Sequence, residues 1–205
     1  MKDKIAKKFL GTNIDDSFEK IIITNIYSVY NGIIQNSILL KRDNGFYENS
    51  LIELKGKFFR IIKITPGNVI IDVLRLFKSV ARDIVLVGLV GSLDDNFQVG
   101  DIVVPTVSSI IGSKDKFEFA KASSGYICQV DGLIHDREFY LNIADNGFNF
   151  IDMESNYLSS FGYENKIACR LIGIVSDNPI TKPFYKIENL SAKLDCGLII
   201  EKIIA

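Results

Sequence analysis

The chain has 205 residues, a formal net charge of -1, an apolar fraction of 47% and three cysteines. That length supports one sizeable core in a single domain over 1–205, and the near-neutral charge excludes a general field for nucleic acid or an anionic membrane surface. Cys128, Cys169 and Cys196 lack the close spacing of a zinc knuckle or redox pair, and His135 is the single histidine, so neither metal nor cofactor is expected, and reduced thiols in a cytoplasm are the natural reading.

The first ten residues are basic but have neither the unbroken apolar stretch nor the small-residue cleavage site of a secretory signal. They read as a short amphipathic helix in an N-terminal extension over 1–18. Glu19 to Ile26 reads as a buried first strand because Ile21, Ile22 and Ile23 form an unbroken β-branched run. Ile33 to Lys41 and Ser50 to Lys55 are expected strands around the turn-like Arg42 to Gly45, and Lys57 to Thr65 pairs with the second of them across Lys55-Gly56-Lys57. Thr65-Pro66-Gly67-Asn68 breaks the pattern, after which Val69, Val73, Leu74, Phe77 and Val80 fall at helical spacing.

Asp83 to Val90 is an apolar strand, far shorter than the roughly 20 residues that cross a bilayer, so a soluble protein is expected. Gly91 to Asn96 turns the chain, Val99 to Pro105 returns as a strand, and Ser108 to Ser124 reads as a loop with some strand. Strands over Tyr126 to Val130, Phe148 to Ile151 and Ala168 to Val175 alternate with helices over Arg137 to Asp145 and Glu154 to Ser160. Pro183 to Ile204 reads as one closing helix, with Phe184, Ile187, Leu190, Leu194, Leu198 and Ile203 on its stripe. The order predicts a single-domain α/β fold with a mixed sheet. His135, next to Asp136, Arg137 and Glu138, reads as a surface or capping residue.

Two acidic signatures, Asp152-Met153-Glu154-Ser155 and Ser176-Asp177-Asn178-Pro179, each follow an apolar strand. Ligands of α/β sheets bind at strand ends, so Glu154 and Asp177 are candidates for chemistry in one pocket. Each also has a plainer reading, Glu154 as a complement to a helix dipole and Asp177 as a turn residue. Gly88-Leu89-Val90-Gly91 follows a strand and reads either as a tight turn or as a ligand loop, without the Lys-Ser or Lys-Thr of a Walker motif.

In sequence order, Val87 to Leu93, Val99 to Val104, Asp152 to Ser155 and Ser176-Asp177 resemble the purine nucleoside phosphorylase and uridine phosphorylase superfamily. Within it, they are most similar to the 5′-methylthioadenosine/S-adenosylhomocysteine nucleosidases. The resemblance implies a three-layer α/β sandwich that assembles as a homodimer or higher homo-oligomer and breaks the N-glycosidic bond of a purine nucleoside. It implies that Met153 and Glu154 bind ribose, that Asp177 protonates a purine ring nitrogen, and that Ser176 orients Asp177. Leu133 and Ile134, in Asp131-Gly132-Leu133-Ile134, resemble a base-pocket loop. Gly67 resembles the turn that opens the first long helix, and the backbone around Gly67 and Gly88 could hold an anion.

The sequence also departs from that pattern. Leu89 stands where phosphorylases of the superfamily carry a hydroxyl that helps hold phosphate, which favours hydrolysis over phosphorolysis. Thr24 to Tyr30 lacks the carboxylate that activates water in the nucleosidases, leaving Asn25, Ser28 or Tyr30 as groups that could hold a water. Gly173 occupies the place of an arginine. Three readings follow: hydrolysis, binding of a nucleoside without catalysis, and phosphate-dependent cleavage.

Overall fold

The computed structural model describes residues 2–14, 18–186 and 193–205. Its centre is β5 (Asp83–Ser92), which pairs in parallel with β1 (Lys20–Thr24) and β11 (Ala168–Asp177), and at its last two residues pairs antiparallel with β10 (Phe150–Asp152). Beyond β1 the sheet continues through β4 (Lys57–Lys63), β3 (Glu48–Leu54) and β2 (Ile38–Asn44). Beyond β10 it continues through β9 (Ser124–Gln129), β7 (Pro105–Ile110) and β8 (Phe117–Glu118), while β6 (Ile102–Val103) pairs with β11. Parallel and antiparallel neighbours are mixed, as the sequence predicts.

Alternation along the central strands creates the layers, because successive side chains point to opposite faces. Ile21 and Ile23 in β1, Ile84 and Leu86 in β5 and Leu171 in β11 pack with α1 (Lys2–Leu10), α3 (Ile70–Phe77) and α5 (Ser155–Asn165). Their neighbours Ile22, Val85, Val87, Ile172 and Ile174 pack on the other face with α2 (Tyr27–Gln35) and α6 (Cys196–Ile204). A strand buried on both faces needs no polar alternation, which is why β1 reads as an isoleucine run. The helix α4 (Arg137–Asp145) starts on an Asp136 cap that accepts the Phe139 N–H at 2.8 Å and covers a third cluster around Cys128, Tyr140 and Ile151. His135 stacks on Phe139 beside that start.

The hairpin at Lys55-Gly56 joins β3 to β4, and both turn residues take positive φ, 51° and 76°, the conformation that a two-residue turn between twisted strands requires. The N-terminal α1 is docked: Ala6 and Leu10 are fully buried, and the Asn49 amide donates to the Leu10 carbonyl at 3.0 Å.

Two sequence expectations are corrected. Ile33 and Ile34 end the helix α2 rather than starting a strand, and β2 begins only at Ile38. The stretch Ser108 to Ser124 is a loop with some strand, as expected, contributing the end of β7, the short β8 and the start of β9. Among the described residues of the helix expected over Pro183 to Ile204, Phe184–Lys186 form a 3-10 turn and α6 starts at Cys196, where the Asp195 carboxylate caps the Leu198 N–H at 2.9 Å. Ile187 and Leu190 of the expected stripe lie outside the described residues. No helix among the described residues is long and apolar enough to cross a membrane.

Candidate active site

The ends of β5, β10 and β11 open into a cavity of about 340 Å³, with Leu89, Gly91, Ile151, Asp152, Met153, Glu154, Ser176 and Asp177 in its walls. Asn25 and Pro66 close one side, and Leu133, Tyr140, Pro179 and Phe184 close another. The cavity is mostly apolar with a few converging carboxylates, within the size range of small-molecule sites.

Local sequence explains why Glu154 faces the cavity. It stands at the N-cap of α5, yet its side chain makes no capping bond. Gln129 of β9 does that instead, its Oε1 accepting the N–H groups of Asn156 and Tyr157 at 2.9 and 3.0 Å. The Glu154 carboxylate therefore reaches across to the loop before α3, where Oε1 accepts the Gly67 N–H at 2.5 Å. The Asn25 side chain and the Met153 N–H also hydrogen-bond it, and both bonds oppose the effect of burial, which raises its pKa. Gly67 takes φ +94°, a conformation that side chains rarely adopt, so glycine sets the direction of that N–H. Gly67 thus reaches the site through Glu154 and is not itself among the wall residues.

Asp177 reaches the same cavity through a bulge. The register of β11 on β5 shifts between Val175 and Asp177, so Val175 pairs with Val90 and Asp177 with Gly91. In a regular strand Ser176 and Asp177 would point to opposite faces. The extra residue re-aims them, and both line the cavity. Ser176 Oγ lies 2.6 Å from Asp177 Oδ1 and 3.2 Å from the Val90 carbonyl. The Ser176 hydroxyl has one hydrogen to give to either acceptor, and its bond to the carboxylate favours the charged form of Asp177. Burial raises the Asp177 pKa, against bonds from Ser176 and the Phe184 N–H.

Asp152, part of the first acidic signature but not read as a site residue from sequence, also lines this cavity and is 4% exposed. Its carboxyl is pushed up to about 8 by burial first and by the Glu154 charge second, against bonds from the Ser155 hydroxyl and the Glu154 and Ser155 N–H groups. The two-residue spacing of Asp152 and Glu154 was the available sequence signal, since alternate residues share a face. Tyr140 was a second omission: its hydroxyl donates to the Leu133 carbonyl at 2.8 Å and fixes that loop against the cavity.

Of the other candidates, Met153 and Leu133 are in the wall. Ile134 is 88% exposed and lines a neighbouring cavity that shares Leu133, Tyr140, Pro179 and Phe184 with the first. Gly88 is buried within β5, which runs on to Ser92. The expectation that the strand ends near Val90 is corrected, and Gly91 is the glycine in the wall. A Cβ on Gly91 would lie 2.9 Å from Ile151 Cγ1, so glycine there lets β5 and β10 approach. At Gly173 a Cβ would meet Val90 at 2.8 Å and Val103 at 3.0 Å, leaving no room for an arginine. Among the described residues, no group of three or more His, Cys, Asp and Glu side chains is arranged to hold a metal ion.

These features define the class by fold: the chain has the architecture of the nucleosidases. It superposes on a mutant of the Helicobacter pylori 5′-methylthioadenosine/S-adenosylhomocysteine nucleosidase, solved with 5′-methylthioadenosine in its active site, with a TM-score of 0.75 at 13% identity, covering 91% of this chain and 97% of that one. The Neisseria meningitidis 5′-methylthioadenosine/S-adenosylhomocysteine nucleosidase, in complex with methylthio-immucillin-A, gives 0.73 at 15% identity over 90% and 98% of the two chains. A Helicobacter pylori futalosine hydrolase mutant gives 0.71 at 13% identity over 91% and 97%. No protein-family model and no curated protein matches the sequence.

Proposed function

We propose that the protein hydrolyses the N-glycosidic bond of a purine nucleoside. The observation that carries this reading is the convergence of Glu154 and Asp177, from two different strand ends, on one largely apolar cavity. Glu154, held by Gly67 and Asn25, accepts hydrogen bonds from the ribose hydroxyls and stabilises the positive charge that develops on the sugar as the bond breaks. Met153 packs against the sugar, and Leu133, Pro179 and Phe184 provide an apolar berth for the base.

An anionic purine is a poor leaving group, so the base must gain a proton as it departs. Asp177, whose pKa burial raises, donates it to a ring nitrogen, and Ser176 holds the carboxyl in place. Hydrolysis is favoured over phosphorolysis because Leu89 presents no hydroxyl to a phosphate. One observation favours binding without turnover as a second reading: the end of β1 contributes the amide of Asn25 to the cavity, and no carboxylate.

The test is to incubate the purified protein with adenosine, inosine, methylthioadenosine and S-adenosylhomocysteine, with and without phosphate, and to measure free base. Release in both conditions is expected. Release only with phosphate would establish phosphorolysis, and a raised melting temperature with no release would establish binding alone.

A further inference from the structure

We infer that the cavity beside the base berth is a second binding compartment, which takes a carboxylated substituent carried on the six-membered ring of the purine. The placement of the base in this scheme rests on the nucleosidase reading above. The second cavity holds about 340 Å³ and shares Leu133, Tyr140, Pro179 and Phe184 with the first. Three of these, Leu133, Pro179 and Phe184, berth the base, whereas Asn25, Pro66 and Glu154 on the sugar side line the first cavity alone. The second cavity therefore continues from the base end, away from the sugar. In a purine nucleoside the glycosidic nitrogen belongs to the five-membered ring. The edge farthest from the sugar is that of the six-membered ring with its exocyclic group, and a substituent on that group runs into the second cavity. The Tyr140 hydroxyl, bonded to the Leu133 carbonyl at 2.8 Å, holds the edge over which the substituent passes.

The walls of this compartment carry His135, Arg137 and Lys186 and no acidic side chain. The carboxylates nearby are engaged. Asp131 pairs with His135 Nε2 at 3.4 Å, Asp136 accepts the Phe139 N–H at 2.8 Å, and Asp95 accepts from the Asn178 amide and the Thr181 hydroxyl at 2.9 and 3.4 Å. Neither Arg137 nor Lys186 forms an ion pair among the described residues, and Lys186 Nζ lies only over the Tyr185 ring, 5.9 Å from its centre. A guanidinium fork matches the two oxygens of a carboxylate, and an ammonium beside it adds a second donor. Ile134, Phe184 and Tyr185 line the same cavity and are exposed, and clustered apolar exposure marks a binding surface. Cations set among exposed apolar side chains suit a short carbon chain that ends in a carboxylate. The substrate class is thus a 6-aminopurine nucleoside whose exocyclic nitrogen carries such a chain.

The test compares base release from N⁶-succinyladenosine, its neutral dimethyl ester and N⁶-methyladenosine. The acid is expected to exceed the ester in kcat/KM by about tenfold or more, through KM, because hydrogen bonds to charged groups outweigh neutral ones even after discounting for exposure. The advantage should shrink as salt is raised. Arg137 and Lys186 are exposed, so a double variant, Arg137→Gln with Lys186→Gln, is expected to fold normally and to lose the preference for the acid over the ester. Equal kcat/KM for acid and ester in the wild type, or a preference that survives in the double variant, overturns the inference, and cleavage of adenosine in the same assay leaves the nucleosidase reading standing. Calorimetric titration with the free bases reads the compartment without turnover. Binding of N⁶-succinyladenine about tenfold tighter than N⁶-methyladenine supports the compartment even where no nucleoside is cleaved and the nucleosidase reading fails. Equal affinities overturn it.

Discussion

Asp177 and Glu154 sit in one cavity, and the proposed mechanism uses them in opposite protonation states. Glu154 accepts from two backbone N–H groups and an amide, all of which favour the charged form. Asp177 accepts from fewer groups, the Ser176 hydroxyl at 2.6 Å and the Phe184 N–H, and burial outweighs them. Asp177→Asn removes the acid and is expected to cut kcat by about 10²–10⁴-fold, read by initial rates of base release. The proposed acid role needs Asp177 protonated, and burial raises its pKa, so under that role wild-type kcat falls as pH rises through the raised value. Glu154→Gln loses charge-assisted bonds worth about 1.5–3 kcal/mol, so kcat/KM should fall about 10–150-fold, measured on the best substrate of the panel. Both residues were legible in the sequence as strand-end carboxylates. The bulge at Ser176 and the burial of Asp152 were not, since each depends on a neighbouring strand.

At the scale of elements, the start of α5 decides whether Glu154 is free. Gln129 caps that helix from another strand, and no local pattern announces a cap supplied 27 residues away. Gln129→Ala leaves the Asn156 and Tyr157 N–H groups without that partner and is expected to cost about 0.5–2 kcal/mol, measured as a shift in urea midpoint. It should also weaken substrate binding, because the cheapest replacement cap is Glu154 itself. The elements that sequence misassigned show where local signals mislead. In α2 the buried Val29, Tyr30 and Ile33 have helical spacing, but Ile33 and Ile34 lead directly toward Ile38, Leu39 and Leu40, and the combined run has the composition of a strand. Those three residues are largely exposed on β2 at the sheet margin. In α6 the buried residues are Ile199, Ile200 and Ile203, while Leu198 is half-exposed. The Asp195 cap was the available sequence signal for the true start, which the reading from Pro183 overlooked. The central strands were legible because burial on both faces leaves an unmistakable apolar run.

For the whole molecule, three buried carboxyls at the ends of the central strands impose a pH dependence on stability. Burial raises the pKa of Asp152, Glu154 and Asp177, so between pH ~4, where carboxyls titrate in the unfolded chain, and about pH 8 for Asp152 the folded state binds more protons than the unfolded one. Their contribution to stability is fully present below that window and is lost as pH rises through it. Urea midpoints should therefore show a component that declines from pH 4 to 8, and Asp152→Asn should reduce it. The same cost at neutral pH is what a site for a cationic sugar transition state would carry, since charge developing there offsets the repulsion between Asp152 and Glu154. Under the proposed mechanism, water attacks the sugar while Asp177 protonates the base. The most direct measurement is mass analysis of the products formed in ¹⁸O-enriched water with phosphate present. Free base and a sugar carrying one heavy oxygen are predicted, whereas a sugar 1-phosphate, or no cleavage of any purine nucleoside, would contradict it.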